Sequence, residues 1–454
     1  MTQPLPKAFI QSLKSTMGFN EEQFVAVHHQ QSAVTSVRIN PRKWHSGMNS
    51  QWEHSPIGWC ATGRYLAKRP YFTTDPLLHA GAYYVQEASS MFLEQAFSQS
   101  RPPGPVRVLD LCAAPGGKST HLLSLLQEKD VLVSNEVINS RVPVLAENVA
   151  KWGSANVIVT NSDPADFGAL NAAYDMVLVD APCSGSGLFR KDAAAINEWS
   201  MDNVALCAQR QQRILADVWP ALMPGGVLIY ATCSYSPQED EEILDWLATN
   251  FECESLILNC NKEWGVVHVQ SPTQHFSGYR FYPYNLPGEG FFLAAMRKTE
   301  SSEGKRVEHK RLRDLKAACL PESAVDFTIL PEDYLTFLVG ETWHTLTQQA
   351  FEVLHTLQPG VRIRQAGVAL GTSARKGFVP HHALALSSLV SPPVPRFELP
   401  MQDALNYLRR LDIVLPQQPA GFAMMTFEEL GLGWAKNLGS RVNNYYPLEW
   451  RIRK

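Results

Sequence analysis

No two cysteines of this chain are spaced as CxxC and no HExxH occurs; the eight cysteines, at 60, 112, 183, 207, 233, 253, 260 and 319, lie far apart. These absences remove the usual frames for a zinc site or a disulfide-stapled fold, so free thiols and no metal are expected. No apolar run approaches the roughly 20 residues of a membrane span, which predicts no membrane association. The opening "MTQPLPKAFIQSLKSTMGFN" lacks a basic segment followed by a long apolar core and a small-residue cleavage site, so a cytoplasmic chain is expected. Internal repeats and low-complexity tracts are also missing.

What is present describes a globular protein of several domains. Of 454 residues, 45% are hydrophobic and 19% charged, too many for one ordinary core and too apolar for a disordered chain. The formal net charge of −4 excludes a protein that is basic all over. Between Ser36 and Arg69, however, Arg38, Arg42, Lys43, Arg64, Lys68 and Arg69 face the single acid Glu53, with Trp44, Trp52, Trp59 and Tyr65 among them. Such interleaving suits phosphates and unstacked bases. An ordinary solvated basic face over core aromatics reads equally well.

From "PVRVLDLC" (105–112), short β-rich runs alternate with helical stretches. Strands are predicted at 105–112, 130–136, 155–162, 174–182 and 225–234, and helices at 117–127, 140–152, 201–223 and 237–250. Runs apolar on both faces predict an open, doubly wound α/β sheet, which binds ligands beyond the carboxyl ends of its strands. A small α/β module and an amphipathic helix over 81–97 are expected before this core, and a last strand within 280–298. The charged stretch 297–316 reads as a linker, and the proline-rich "SPPVPRFELP" (391–400) as a second break. The expected division is 1–100, 101–300, 301–390 and 391–454.

"VLDLCAAPGGKST" (108–120) combines a strand end, a loop of small residues and a helix start. Cys112, Ala113, Ala114, Pro115, Gly116, Gly117 and Lys118 form the candidate cofactor loop, because its small residues admit a ligand against the backbone. A phosphate-binding P-loop would need glycine where Cys112 stands. The next strand ends in Glu136, an acid placed to accept both hydroxyls of a ribose. Asp163, at the third strand end, can reach an adenine amino group, and Asp180 ends the fourth. Three acidic tips behind a loop without phosphate chemistry fit S-adenosylmethionine better than a dinucleotide.

Two thiols complete the pattern, Cys183 in "DAPCSGSG" and Cys233 in "YATCSYS", each just past a strand. Taken in order, "LDLCAAPGGKS", "DAPCSGSGLFRKD" and "YATCSYSPQEDE" resemble the Fmu/Sun family of RNA cytosine-C5 methyltransferases over residues 30 to 298. "GLFRKDAAAINEWS" and "LGWAKNLGSRVNNYYP" are most similar to its bacterial members that act on small-subunit ribosomal RNA.

The resemblance implies a Rossmann-like class I methyltransferase core using S-adenosylmethionine on 16S ribosomal RNA, with transfer RNA as the alternative substrate. It further implies Cys233 as nucleophile toward cytosine C6 and Cys183 as helper in proton removal and release. Asp180 can hydrogen-bond the N3 and amino edge of the base. Lys191 is a weaker candidate for supporting Asp180, and Gly185 and Gly187 read as a mobile loop. The resemblance makes 1–100 an RNA-binding module with Gln86 near the active site, and 391–454 a PUA-like RNA-binding domain whose basic and aromatic end includes Lys436, Arg441, Tyr445, Tyr446, Trp450, Arg451 and Arg453. A monomer is expected. A catalytically silent RNA-binding or assembly factor is the reading from another class, and the retained thiols speak against it.

Overall fold

The computed structural model describes residues 4–30, 34–45, 47–48, 52–300, 316–357, 360–375, 377–413 and 420–453. Most of the expected linker, 301–315, lies outside the described residues, while Arg297 and Lys298 close a strand.

Near the N-terminus β1 (Thr35–Ile39), β2 (His54–Ile57), β3 (Cys60–Leu66) and β4 (Tyr83–Val85) form an antiparallel sheet in the order β2-β3-β1-β4. The start of the expected 81–97 helix is therefore a strand. Tyr83, Tyr84 and Val85 are β-favouring residues that pair with Ile39, Arg38 and Val37, and the helix proper runs only over Leu93–Ser100.

The central sheet contains β5 (Arg107–Asp110), β6 (Val131–Asn135), β7 (Val157–Thr160), β8 (Tyr174–Asp180) and β9 (Leu222–Thr232), all parallel. These runs are almost wholly buried because helices cover both faces. Four further strands follow: β10 (Cys253–Ser255), β11 (Val267–Gln270), β12 (Ser277–Phe281) and β13 (Phe291–Lys298). β13 runs antiparallel to β9, carries β10 beside it, and continues through β12 to β11. From β7 the order reads β7-β6-β5-β8-β9-β13-β12-β11, so the chain reverses its winding direction between β5 and β8. That switch point opens a crevice between the loops after these two strands.

Beyond the linker, β14 (Tyr334–Val339), β15 (Thr342–Thr347), β16 (Ile363–Ala366), β17 (Val368–Ala374) and β18 (Gly377–Pro380) follow. Four of them form their own sheet, but β16 leaves it to pair antiparallel with β7, with Ile363 opposite Thr160 and Ala366 opposite Ile158. From the helix Gln348–Leu357, Phe351, Leu354 and Leu357 join the same buried cluster as Val133 and Ile158. The last sheet is β19 (Arg396–Glu398), β20 (Gly421–Phe427), β21 (Leu430–Asn437) and β22 (Val442–Asn444). Its Met425, with Tyr407 and Tyr446 beside the sheet, shares an apolar cluster with Val37, Leu77 and Tyr83 of the N-terminal module. Among the described residues no helix is long and apolar enough to cross a membrane.

The N-terminal cations divide between interior and surface. Arg38 is fully buried, donating to Gln86 Oε1 at 2.8 Å, Ser124 Oγ at 3.0 Å and Thr120 Oγ1 at 2.6 Å. Arg42 bonds Ser154 Oγ and the Leu126 carbonyl, and Lys43 the carbonyls of Ala80 and Lys151. Burial pushes the Lys43 ammonium down to about 7. Their hydrogen bonds brace the module against the central domain, with Arg38 and Gln86 buried, Lys43 half-buried and Arg42 still exposed. Lys68 and Arg69 are exposed.

Candidate active site

Helix formation fixes the cofactor loop from both ends. Gly116 adopts φ +111°, a left-handed conformation open to glycine, and turns the chain into the helix Gly117–Leu125. Ala113 donates to the Asn135 carbonyl at 2.8 Å, and the Ala114 carbonyl accepts from Arg141 Nη2. A Cβ on Gly117 would stand 3.3 Å from the Tyr84 ring, so small residues are required here by packing as well. Ala113 and Ala114 are buried, Pro115 is exposed, and Cys112 packs against the main apolar cluster, where burial raises its thiol.

Residues of this stretch fit a sulfonium nucleoside. Asp110, fully buried at the end of β5, accepts from Ser119 Oγ at 2.6 Å through Oδ2, while its Oδ1 has no protein partner. Burial, followed by the Asp180 charge against the relief of Ser119, pushes this carboxyl up to about 7. A cation beside it would relieve both the orphaned oxygen and the desolvated charge. Glu136 is 2% exposed; its Oε1 accepts from the Ile138 amide at 2.8 Å and its Oε2 lies 3.5 Å from Arg141 Nη1. The apolar Val137 and Ile138 just beyond are 53% and 48% exposed, a surface available to a flat ring. Asp163 is partly committed elsewhere: Oδ1 caps the short helix Pro164–Gly168, and Oδ2 is 3.9 Å from Arg213. It borders an open cavity of about 330 Å³ with Val137, Asn161 and Arg362.

Across the switch point Lys118 Nζ meets Asp180 Oδ2 at 2.7 Å, with the ammonium 5.2 Å from the centre of the Phe291 ring. Burial alone would lower the Lys118 ammonium; the Asp180 carboxylate, and after it the Cys233 sulfur, hold it above its ordinary value. The expected partner of Asp180, Lys191, lies instead at the surface.

β8 and β9 are hydrogen-bonded neighbours, with Asp180 opposite Ala231, so the chain turns that follow them meet. Cys183 Sγ and Cys233 Sγ are 3.0 Å apart, both free thiols. The hydrogen bond to Cys233, burial and the charge of Glu239 all raise the Cys183 thiol, which therefore retains its proton and can donate it to its neighbour. Gly187 is packed tight: its amide donates to the Cys233 carbonyl at 2.8 Å, and a Cβ there would come within 2.6 Å of that oxygen. It holds the two turns together rather than loosening them. Gly185, at φ +74° with open space around it, keeps the expected freedom.

The helix that follows Pro237 begins in acids. Asp240 accepts from Thr232 Oγ1 at 2.6 Å and pairs with Arg280, which also forks onto Glu241. The Cys233 sulfur interacts instead with the Lys118 ammonium. Asp110 and Glu239 are the functional candidates that sequence reasoning missed; "LDLC" and "PQEDE" each contained an acid beside a motif, but their partners come from distant segments.

One further group has metal-ligand chemistry. Cys60, Glu94 and His121 bring ligand atoms within 4.8 Å of one another. His121 Nε2 is already shared by Glu94 at 3.2 Å and Cys60 at 3.7 Å, and the Arg38 guanidinium acts on all three. That positive neighbour opposes a cation.

Residues 101–297 match the family described as 16S rRNA methyltransferase RsmB/F, residues 5–88 the N-terminal domain of 16S rRNA methyltransferase RsmF, and residues 394–452 the methyltransferase RsmF PUA domain. Ribosomal RNA small subunit methyltransferase F of Klebsiella pneumoniae (strain 342) is 31% identical over 98% of this chain and 96% of its own. The protein of that name from Salmonella agona (strain SL483) is also 31% identical, with the same coverage. Among solved structures, a methyltransferase homolog protein from Pyrococcus horikoshii is 28% identical with a TM-score of 0.51, covering 65% of this chain and all of the other. The sheet is that of a class I methyltransferase, and S-adenosylmethionine is its cofactor. The chain belongs to the ribosomal RNA small subunit methyltransferase F family.

Proposed function

We propose that the chain methylates C5 of a cytosine in 16S ribosomal RNA, with Cys233 as the covalent nucleophile and Cys183 as the group that assists release. The observation that carries this reading is the pair of free thiols 3.0 Å apart, beside the Lys118–Asp180 pair at the sheet's switch point.

C5 of cytosine is too weakly nucleophilic to be alkylated unaided. Addition of the Cys233 thiolate to C6 forms the S–C6 bond and places the electron pair of the 5,6 double bond in conjugation with N3 and O2. Lys118, held protonated, supplies a donor for the charge that develops there, and Asp180 orients it and can accept from the exocyclic amine. Asp110, Glu136 and the loop 112–117 would hold S-adenosylmethionine, which when bound would supply the methyl group to C5. The C5 proton then leaves to a base, the 5,6 double bond re-forms and the Cys233 sulfur is expelled.

The coupling between the thiols orders these events. Two sulfurs at 3.0 Å do not both ionise, so while Cys233 is the thiolate, Cys183 keeps its proton. Once Cys233 is bonded to C6 its negative charge is gone. The Cys183 thiol then gives its proton to solvent, and the resulting thiolate takes the C5 proton as Cys233 leaves. The target base must be unpaired or flipped to expose both C5 and C6, which favours loop or single-stranded RNA.

The test incubates wild type and two cysteine variants with S-adenosylmethionine and unmodified 16S ribosomal RNA. Cys233→Ala abolishes both 5-methylcytosine, read by nucleoside mass spectrometry, and covalent attachment. Cys183→Ala accumulates a protein–RNA adduct that survives denaturing electrophoresis. Trapping by Cys233→Ala would reverse the roles, and a methylated base other than cytosine would end the mechanism.

A further inference from the structure

Neither sulfur sits on a regular element; each occupies a turn just past a strand, and such turns are ordinarily the mobile parts of a fold. Here both are tied to one side chain. Glu239 is wholly inaccessible and accepts the Ser184 amide at 2.7 Å through Oε1, with Ser184 Oγ and Ser234 Oγ each at 2.6 Å on Oε2. Ser184 follows Cys183 and Ser234 follows Cys233. The residue is itself held from behind: Tyr230 OH lies 2.6 Å from the Glu239 carbonyl and 3.0 Å from Gln211 Oε1, both acceptors of its proton, and Gln211 Nε2 donates to the carbonyl of Pro182 at 3.1 Å. A second clamp joins the same turns through Ser186 Oγ, which accepts the Tyr235 amide at 2.9 Å.

All three donors converge on a group that only accepts when ionised, and no cation is recorded in contact with Glu239 among the described residues. Three hydrogen bonds replace the water that burial removes. Burying this carboxylate is costly, and a neutral glutamine of the same shape would cost less to bury. What a carboxylate adds is two acceptor oxygens in one plane and a fixed negative charge beside one thiol.

We infer that Glu239 is a positioning residue, which locks the Cys183 and Cys233 turns into one rigid unit and places its charge on the Cys183 side, so that the two chemically identical thiols take different roles. The inference rests on the reading that these two sulfurs react. Two of the three hydrogen bonds on Glu239 come from Ser184, next to Cys183, and its charge raises that thiol, while the Lys118 ammonium interacts with the Cys233 sulfur, an electrostatic gradient across a 3.0 Å gap. The gradient favours the anion on Cys233.

The experiment compares full-length wild type with Glu239→Gln, Ser184→Ala and Ser234→Ala. Methyl transfer from S-adenosylmethionine to 16S ribosomal RNA reads turnover. Alkylation of Cys183 by iodoacetamide across a pH series, followed by peptide mass spectrometry, reads the local charge without any RNA. Glu239→Gln lowers kcat by about 100-fold, as misplacement of reacting groups by about an ångström does, with KM for the donor within about twofold of wild type. It also moves Cys183 alkylation to lower pH, an effect that packing alone does not produce. The serine variants keep the charge, so they lower kcat while leaving the alkylation profile in place. Wild-type turnover in Glu239→Gln, or an unmoved alkylation profile, overturns the inference. If Glu239→Gln fails to melt cooperatively, wild-type turnover in both serine variants overturns it instead. A Cys233→Ala protein that still methylates would refute the thiol chemistry separately, and the RNA-free alkylation series would still report on Glu239.

Discussion

At the scale of single residues, the Cys183–Cys233 and Lys118–Asp180 contacts are both products of strand order at the switch point. Cys183 and Cys233 stood out because each followed an apolar run, and parallel neighbours in a doubly wound sheet bring equivalent ends together. Lys118 was read as part of the loop, but its partner across the switch point depended on strand order. Asp110 looked like one more strand residue. Its fully buried carboxyl is pushed up to about 7 from an ordinary 3.8, chiefly by desolvation, and this has a consequence for stability. The folded state holds a proton that the unfolded chain has lost, so the favourable contribution is complete below about pH 4 and is lost as pH rises through about 7. Asp110→Asn, which keeps an acceptor for Ser119, removes this slope. Between pH 4 and pH 8 the variant gains roughly 2–4 kcal/mol relative to wild type, measured from urea unfolding without cofactor. Parallel pH dependences for the two proteins would show that Asp110 is ionised throughout.

At the scale of elements, the five parallel strands and the helices between them were readable because both sheet faces are covered and the runs are almost purely apolar. The stretch 81–97 was misread: "GAYYVQEASS" carries aromatic and β-branched residues that favour a strand once β1 offers a partner, and a helical pattern takes over only from Leu93. No local signal announced β16, since "IRQA" acquires its role by lying on the open edge of β7. That edge would otherwise present unpaired amides and carbonyls. The same region delivers Arg362 to the cavity beside Asp163, bonding Ser162 Oγ at 2.9 Å through its amide. Truncation after Lys298 therefore does more than delete a substrate-binding appendage. It uncovers the β7 edge and the apolar surface that Phe351, Leu354 and Leu357 bury. The shortened chain is expected to elute as aggregate in size-exclusion chromatography and to lose a cooperative melt. A monodisperse, cooperatively melting fragment would show that the C-terminal region is energetically separate.

At the scale of the whole molecule, composition indicated basic patches within an acidic chain but not which cations reach solvent. Arg38 is buried on hydroxyls and carbonyls while Arg42, though hydrogen-bonded, stays exposed, and in the C-terminal stretch Tyr446 is buried while Trp450 packs beneath Lys151 and against His382. Arg441, Arg451 and Arg453 remain exposed, with the half-open Tyr445 ring set edge-on to Phe422. Cations that point into water without an acidic partner gain most from phosphate, because each contact releases condensed counterions. If this face holds the ribosomal RNA, replacing all three arginines by alanine weakens binding of 16S RNA and reduces the slope of log affinity against log salt by about 2, at ~0.7 per phosphate on single-stranded RNA. The candidate active site lies at the central sheet, so kcat at saturating RNA is expected to stay at the wild-type value while KM for RNA rises. An unchanged salt slope would place the RNA on another face of the molecule, and a fall in kcat would mean that the C-terminal arginines orient the target base as well as hold its backbone.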